Sequence, residues 1–153
     1  MYNNTPVFKA TEACKKCKGE CCKTMGCHFA PTDFPEITFE SLKTEIEKGY
    51  ISIDWWEDEI PQYYLRMRHE NAPVVDASWG GKCILLTDEG CSLPFEKRPL
   101  GARALKPQGN GENCRSYYTK EQCKNDWAAY DDVLKKLVAY FVQNHIKPFC
   151  KFV

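Results

Sequence analysis

The chain has 153 residues, with 21 basic against 21 acidic side chains and ten cysteines. That length can bury a full single-domain core, and a composition of 43% hydrophobic and 27% charged residues excludes the disordered and fibrous classes. Zero net charge removes the long-range attraction to nucleic acid or an anionic membrane that a basic excess supplies, so neither is an expected partner.

Residues 1–13 read as a flexible N-terminus and residues 14–153 as a single domain, with no internal repeat or low-complexity tract between them. No apolar stretch of signal-peptide length precedes Cys14, only Val7 and Phe8 among polar neighbours. The expected location is therefore cytoplasmic. The longest apolar run near the C-terminus, Leu137 to Val142, falls far short of the about 20 residues a membrane helix requires. In a reducing compartment, dense cysteine reads as metal binding or catalysis before it reads as disulfides.

In chain order, the first element is not a regular one. Five cysteines fall between Cys14 and His28, with Gly19 and Gly26 among them and few apolar residues, so something other than packing must order that module. A helix from Phe39 to Lys48 follows, with Thr38 as N-cap, Ile37 and Leu42 as a hydrophobic staple and Gly49 beyond its last turn. Ile51, Ile53 and Trp55 then alternate with Ser52, Asp54 and Trp56, and Tyr63, Leu65 and Met67 with Tyr64, Arg66 and Arg68. These are two strands, expected to be antiparallel. A third short strand is expected from Cys83 to Thr87, closed by the turn Asp88, Glu89, Gly90 that delivers Cys91. The last third predicts one long helix: Thr119 and Gln122 have the capping-box spacing, and Cys123, Trp127, Tyr130, Leu134, Leu137, Val138 and Phe141 recur at threes and fours. Pro148 bars its continuation, placing the end near Asn144. The fold class is α+β: a small metal-stabilised domain with a Cys-rich N-terminal module, a short antiparallel sheet and a long C-terminal helix.

The chemistry is concentrated in CKKCKGECC, which holds Cys14, Cys17, Cys21 and Cys22, with Cys27 five residues on. Two cysteines separated by two residues can aim both sulfurs at one ion from a single turn, as zinc and iron sites require. Cys21 and Cys22 are adjacent and project differently, so they more naturally serve neighbouring metals, or only one of them ligates. The gaps of two, three and zero do not match a bacterial ferredoxin run, and Lys18 stands where a c-type haem site needs histidine. The three-then-two order of radical S-adenosylmethionine enzymes is absent. Nothing apolar precedes Cys14 as the strand before a thioredoxin-like pair would, and no glycine-flanked nucleophile signature marks a cysteine hydrolase. Cys83 and Cys91, in CILLTDEGC, can reach the cluster as remote ligands, and Cys114, after PQGNGEN, is a further candidate. Cys123 lies on the apolar stripe and Cys150 beside Phe149, both as core thiols. His28 reads as a group beside the ligands rather than one of them. Lys15, Lys16, Lys18 and Lys23 surround the cluster and would favour thiolates.

These residues resemble a family of small bacterial cysteine-cluster proteins, the zinc- or iron-chelating domains with a Cys-x-x-Cys-x-x-x-Cys-Cys run. Flagellin lysine N-methylases look related through the same cluster. The resemblance runs from residue 14 to about 107 and carries CKKCKGECC, CILLTDEGC and the pair Arg98-Pro99. It implies Cys14, Cys17, Cys21, Cys22, Cys83 and Cys91 as metal ligands, with Arg98 and Pro99 in support. The family pattern continues Arg-Pro-x-x-Cys-Arg, whereas this chain reads RPLGAR: Ala102 replaces the cysteine and Arg103 is retained. Either one ligand is lost, or Cys27 or Cys114 fills that position.

The leading expectation is a metal-binding protein whose thiolates hold zinc or an iron-sulfur cluster, in a structural or redox role. One alternative is a redox or protein-modifying enzyme using the cluster, though no phosphate loop or acid and base pair accompanies it. The other is a small interaction or inhibitor module that contacts a protein or peptide through Trp55, Trp56 or Trp79.

Overall fold

A computed structural model describes residues 27–57, 59–77, 82–87, 90–91, 93, 95–106 and 115–145. The expected flexible N-terminus lies outside the described residues.

The first helix, α1 (Phe39–Glu47), starts where the sequence says it should. The Thr38 hydroxyl accepts a hydrogen bond from Ser41 N–H, Leu42 and Ile46 are fully buried, and Gly49 follows at φ +104°, a left-handed conformation that glycine adopts without strain. The chain then forms β1 (Ile51–Trp56) and β2 (Gln62–Met67), antiparallel with Ile51 opposite Met67 and Trp56 opposite Gln62.

Two extended segments widen this hairpin. Phe29 N–H donates to the Leu65 carbonyl and Met67 N–H to the Cys27 carbonyl, so residues 27–29 run along the outer edge of β2. Ile53 N–H donates to the Val74 carbonyl and Asp76 N–H to the Ile53 carbonyl, which lays residues 74–76 along the outer edge of β1. Both strand edges are thereby satisfied rather than left open.

Alternation along β1 predicts one apolar and one solvated face, yet Ser52 and Asp54 are as fully buried as Ile51 and Ile53. The polar face is covered, and the covering is electrostatic. Arg66, itself fully buried, donates from Nε to Asp54 Oδ2 at 2.9 Å and from Nη2 to Asp76 Oδ2 at 2.7 Å. The Tyr64 hydroxyl donates to Asp54 Oδ2 at 2.9 Å, and the His69 ring Nε2 lies 3.2 Å from Asp76 Oδ2.

The expected strand from Cys83 to Thr87 is shorter than predicted. Only Leu86–Thr87 (β3) pairs with Gly90–Cys91 (β4), because the Cys83 carbonyl closes a turn on Leu86 N–H and Ile84 N–H goes to the Arg68 carbonyl. Asp88 and Glu89, the expected turn, lie outside the described residues. Then come α2 (Leu100–Arg103), β5 (Leu105–Lys106) and β6 (Arg115–Ser116), the last two an antiparallel pair.

The expected long C-terminal helix is present, with one tight turn inside it. α3 (Lys120–Trp127) and α4 (Asp131–His145) are separated by a 3₁₀ turn at Ala128–Tyr130, which rotates the second half of the apolar stripe relative to the first. Thr119 caps α3 by accepting from Gln122 N–H, as expected. Cys123, Trp127, Leu134, Leu137 and Phe141 are all buried. The edge of the Phe39 ring meets Tyr140 at 5.9 Å, tying α1 to α4, and both C-terminal helices pack on β2. No described helix is long and apolar enough to cross a membrane.

Replacing Arg66 with Met leaves the buried Asp54 carboxylate without its cation. Unfolding free energy from urea titration is expected to fall by about 3–5 kcal/mol, the range for breaking a buried ion pair; a loss under about 1 kcal/mol would show that water reaches this face.

Candidate metal centre

Among the expected ligands, Cys27, Cys83 and Cys91 belong to the described residues; Cys14, Cys17, Cys21, Cys22 and Cys114 lie outside them. Cys27 is half-buried and Cys83 buried, and both are free thiols. Cys91 is placed by its backbone in β4, opposite Leu86.

Cys27 and Cys83 lie by the same end of β2, on its two opposite edges. The Cys27 carbonyl takes Met67 N–H on the outer edge of β2. Cys83 faces His69, just past the same end of β2, where Glu70 N–H donates to the Lys82 carbonyl and Ile84 N–H to the Arg68 carbonyl. Arg68 N–H donates to Tyr50, immediately before β1, so the segment bearing Cys83 lies on the β1 side while Cys27 lies on the opposite side. From Cys83 the β3–β4 hairpin carries the chain to Cys91. Among the described residues no three His, Cys, Asp or Glu side chains form a group that could hold a metal ion.

A second knot holds Cys27 in place. Asp33 Oδ2 accepts from Ala30 N–H and from Leu100 N–H, each at 2.8 Å, and Oδ1 accepts from Arg103 Nη2 at 2.7 Å. One carboxylate thus joins the segment leaving Cys27 to both ends of α2. Arg103 Nε donates in turn to the Arg98 carbonyl, and Arg98 Nε to the Leu93 carbonyl two residues after Cys91. The Arg-Pro motif therefore works as a bracket between the hairpin, α2 and residues 27–33.

Contact between α2 and the Cys27 segment is backbone against backbone. Gly101 N–H donates to the His28 carbonyl at 2.9 Å, and a Cβ at Gly101 would stand 2.7 Å from that oxygen and 2.8 Å from the His28 nitrogen. Only glycine fits. Ala102 is the next residue, one step from this contact on α2, as Cys27 is one step from it on the other chain segment.

His28 is buried with its ring 5.3 Å from Tyr64, and burial, reinforced by Lys120 and Arg66, pulls its pKa down to about 4. A neutral imidazole therefore stands beside Cys27 at neutral pH. Cys123 is fully buried, its Sγ donating to the Phe29 carbonyl, which also accepts from Trp127 Nε1 at 2.8 Å. Burial pushes the Cys123 thiol pKa up, which keeps it a protonated donor and an unsuitable ligand. Trp55 and Trp56 are half-buried, Trp55 meeting Tyr63 and Trp56 lying under the ammonium groups of Lys120 and Lys124. Trp79 lies outside the described residues.

Reading by residue type misses the roles of Asp33, His69 and Asp76. Their only signal is position: Asp33 follows a proline turn and Asp76 sits in an otherwise apolar extended run.

The model of the CxxCxxCC family, described as "Putative zinc- or iron-chelating domain", matches residues 13–129. Neither the curated proteins nor the solved structures contain a match.

Gly101→Ala is expected to cost about 1–3 kcal/mol of stability, since backbone atoms on both sides must shift to admit the methyl group. Chemical denaturation measures it, and an unchanged midpoint would mean that α2 moves freely on residues 27–33.

Proposed function

Since the chain belongs to the CxxCxxCC family of zinc- or iron-chelating domains, we propose that its clustered thiolates hold zinc or an iron-sulfur cluster whose role is structural. The ligands in this reading are Cys14, Cys17, Cys21 and Cys22, with Cys83 and Cys91 arriving from the hairpin. What supports it is the family match over residues 13–129, with Cys27 and Cys83 lying by one end of β2 in segments tied by Arg66, Asp33 and Arg98 to the rest of the fold.

Cys27, rather than Cys114, replaces the ligand that Ala102 does not provide. Cys27 and Ala102 each lie one residue from the Gly101–His28 contact. Thiolate ligation also suits Cys27 better than Cys123, which is sealed in the core and committed to the Phe29 carbonyl. Cys27 and Cys83 flank β2 on opposite edges, two inter-strand spacings or roughly 10 Å apart.

A thiolate zinc site of this kind has an apparent binding free energy of roughly 10–16 kcal/mol in peptides, comparable to the stability of a whole domain. Metal rather than burial would then order the cysteine run from Cys14 to Cys22, whereas residues 28–30 are already buried and hydrogen-bonded to the fold.

Anaerobic purification with elemental analysis and a visible spectrum tests this directly. A colourless protein with stoichiometric zinc supports the structural reading, a brown one whose charge-transfer band bleaches on reduction puts a redox cluster in its place, and protein free of both metals overturns metal binding altogether. Chelation is expected to expose residues 14–26 to proteases. Cys17→Ser and Cys27→Ser are expected to lower metal content, whereas Cys123→Ser leaves it unchanged; full metal content in Cys27→Ser would remove Cys27 from the ligand set.

A further inference from the structure

A cavity of about 700 Å³ opens beside the Asp33 knot, within the size range of small-molecule sites. Its lining is chemically mixed. The rings of Phe29 and Phe34, 5.3 Å apart, with Tyr50 6.4 Å from Phe29, line it together with Lys97, Arg98 and Arg103.

Of these cations Arg103 is paired with an acidic group of the cavity, Asp33, whereas Lys97 and Arg98 have no carboxylate partner among the described residues. The Asp33 carboxylate is taken up by two backbone N–H groups and by Arg103. Glu45 accepts from the Tyr50 hydroxyl at 2.8 Å and from the Lys48 ammonium at 2.6 Å. Glu96 is exposed to solvent. Arg98 is different. It uses Nε to grip the Leu93 carbonyl, which fixes the plane of the guanidinium, while Nη1 and Nη2 make no hydrogen bond to any described residue. A guanidinium anchored through Nε, with its two terminal nitrogens unspent, matches the two oxygens of a carboxylate.

From this juxtaposition we propose that the cavity binds a small aromatic carboxylate, its ring against Phe29, Phe34 and Tyr50 and its carboxylate on Arg98, with Lys97 at the rim. The site is built entirely from described side chains and requires no metal, so it stands or falls separately from the thiolate centre. Leu93, whose carbonyl orients Arg98, lies two residues after Cys91, so an occupant would sit against the strand that carries a proposed metal ligand.

Isothermal titration of the full-length protein as purified tests the proposal with two probes, indole-3-carboxylate and its uncharged isostere indole-3-carboxamide. The carboxylate is expected to bind more tightly by roughly tenfold or more, the value of one charge-assisted hydrogen-bonding partner. Arg98→Met is expected to remove that preference. Thr32→Trp, a change at an exposed position on the rim, is expected to block both probes without disturbing a buried group. Lys136→Ala, on the exposed side of α4, serves as the control. Equal affinity for the two probes, no binding of either, or full carboxylate binding in Thr32→Trp would overturn the assignment. The rim variant decides the matter even if Arg98→Met fails to fold.

Discussion

A buried guanidinium governs how the sheet is assembled. Arg66 has no solvent-exposed side-chain surface, and a lone charge in that position would cost more than the domain can spare. It is tolerable only because Asp54 on β1 and Asp76 on the neighbouring extended segment are brought to it, with Tyr64 and His69 completing the set. Those partners come from three separate stretches of chain. A slip of either strand by one residue would move Asp54 or Arg66 to the apolar face, so the pairing discriminates against other registers far more sharply than hydrophobic contacts alone.

This lock also sets where two thiol-bearing segments lie. His28, adjacent to Cys27, pairs with Arg66 through its backbone, and His69, which bonds Asp76, pairs with Cys83. The same charge cluster thus indexes the chain positions of two thiols on opposite sides of one strand. Asp33 and Arg98 extend the arrangement outward, fixing α2 and the hairpin against residues 27–33. Metal would close a framework whose spacing is already fixed by carboxylate and guanidinium contacts.

Much of this was readable from local pattern. Thr38, Gly49, Thr119 and the alternation in ISIDWW and YYLRM announce caps, stops and strands through short-range chemistry, and the structure agrees. Patterns that depend on distant partners were not readable. Polar residues at alternate positions of a strand ordinarily face water, and nothing near Ser52 or Asp54 in sequence reveals that Arg66 and Asp76 will bury them. The 3₁₀ turn at Ala128–Tyr130 was hidden for a related reason: the spacing of Trp127, Tyr130 and Leu134 suits a continuous helix, and only tertiary packing tightens it. For the site, residue type and spacing named candidate ligands, but the bracket formed by Asp33, Arg98, Gly101 and Arg103 depends on contacts as many as 70 residues apart.

The Phe29 carbonyl has a consequence in time. Its two side-chain donors, Cys123 and Trp127, lie 94 and 98 residues downstream. A chain made from its N-terminus releases the cysteine run first and the donors that seat the neighbouring strand much later. Until α3 has been synthesised, the Phe29 carbonyl lacks both of these donors, so the last contacts of the segment that follows Cys27 form only when the final third of the chain has been made.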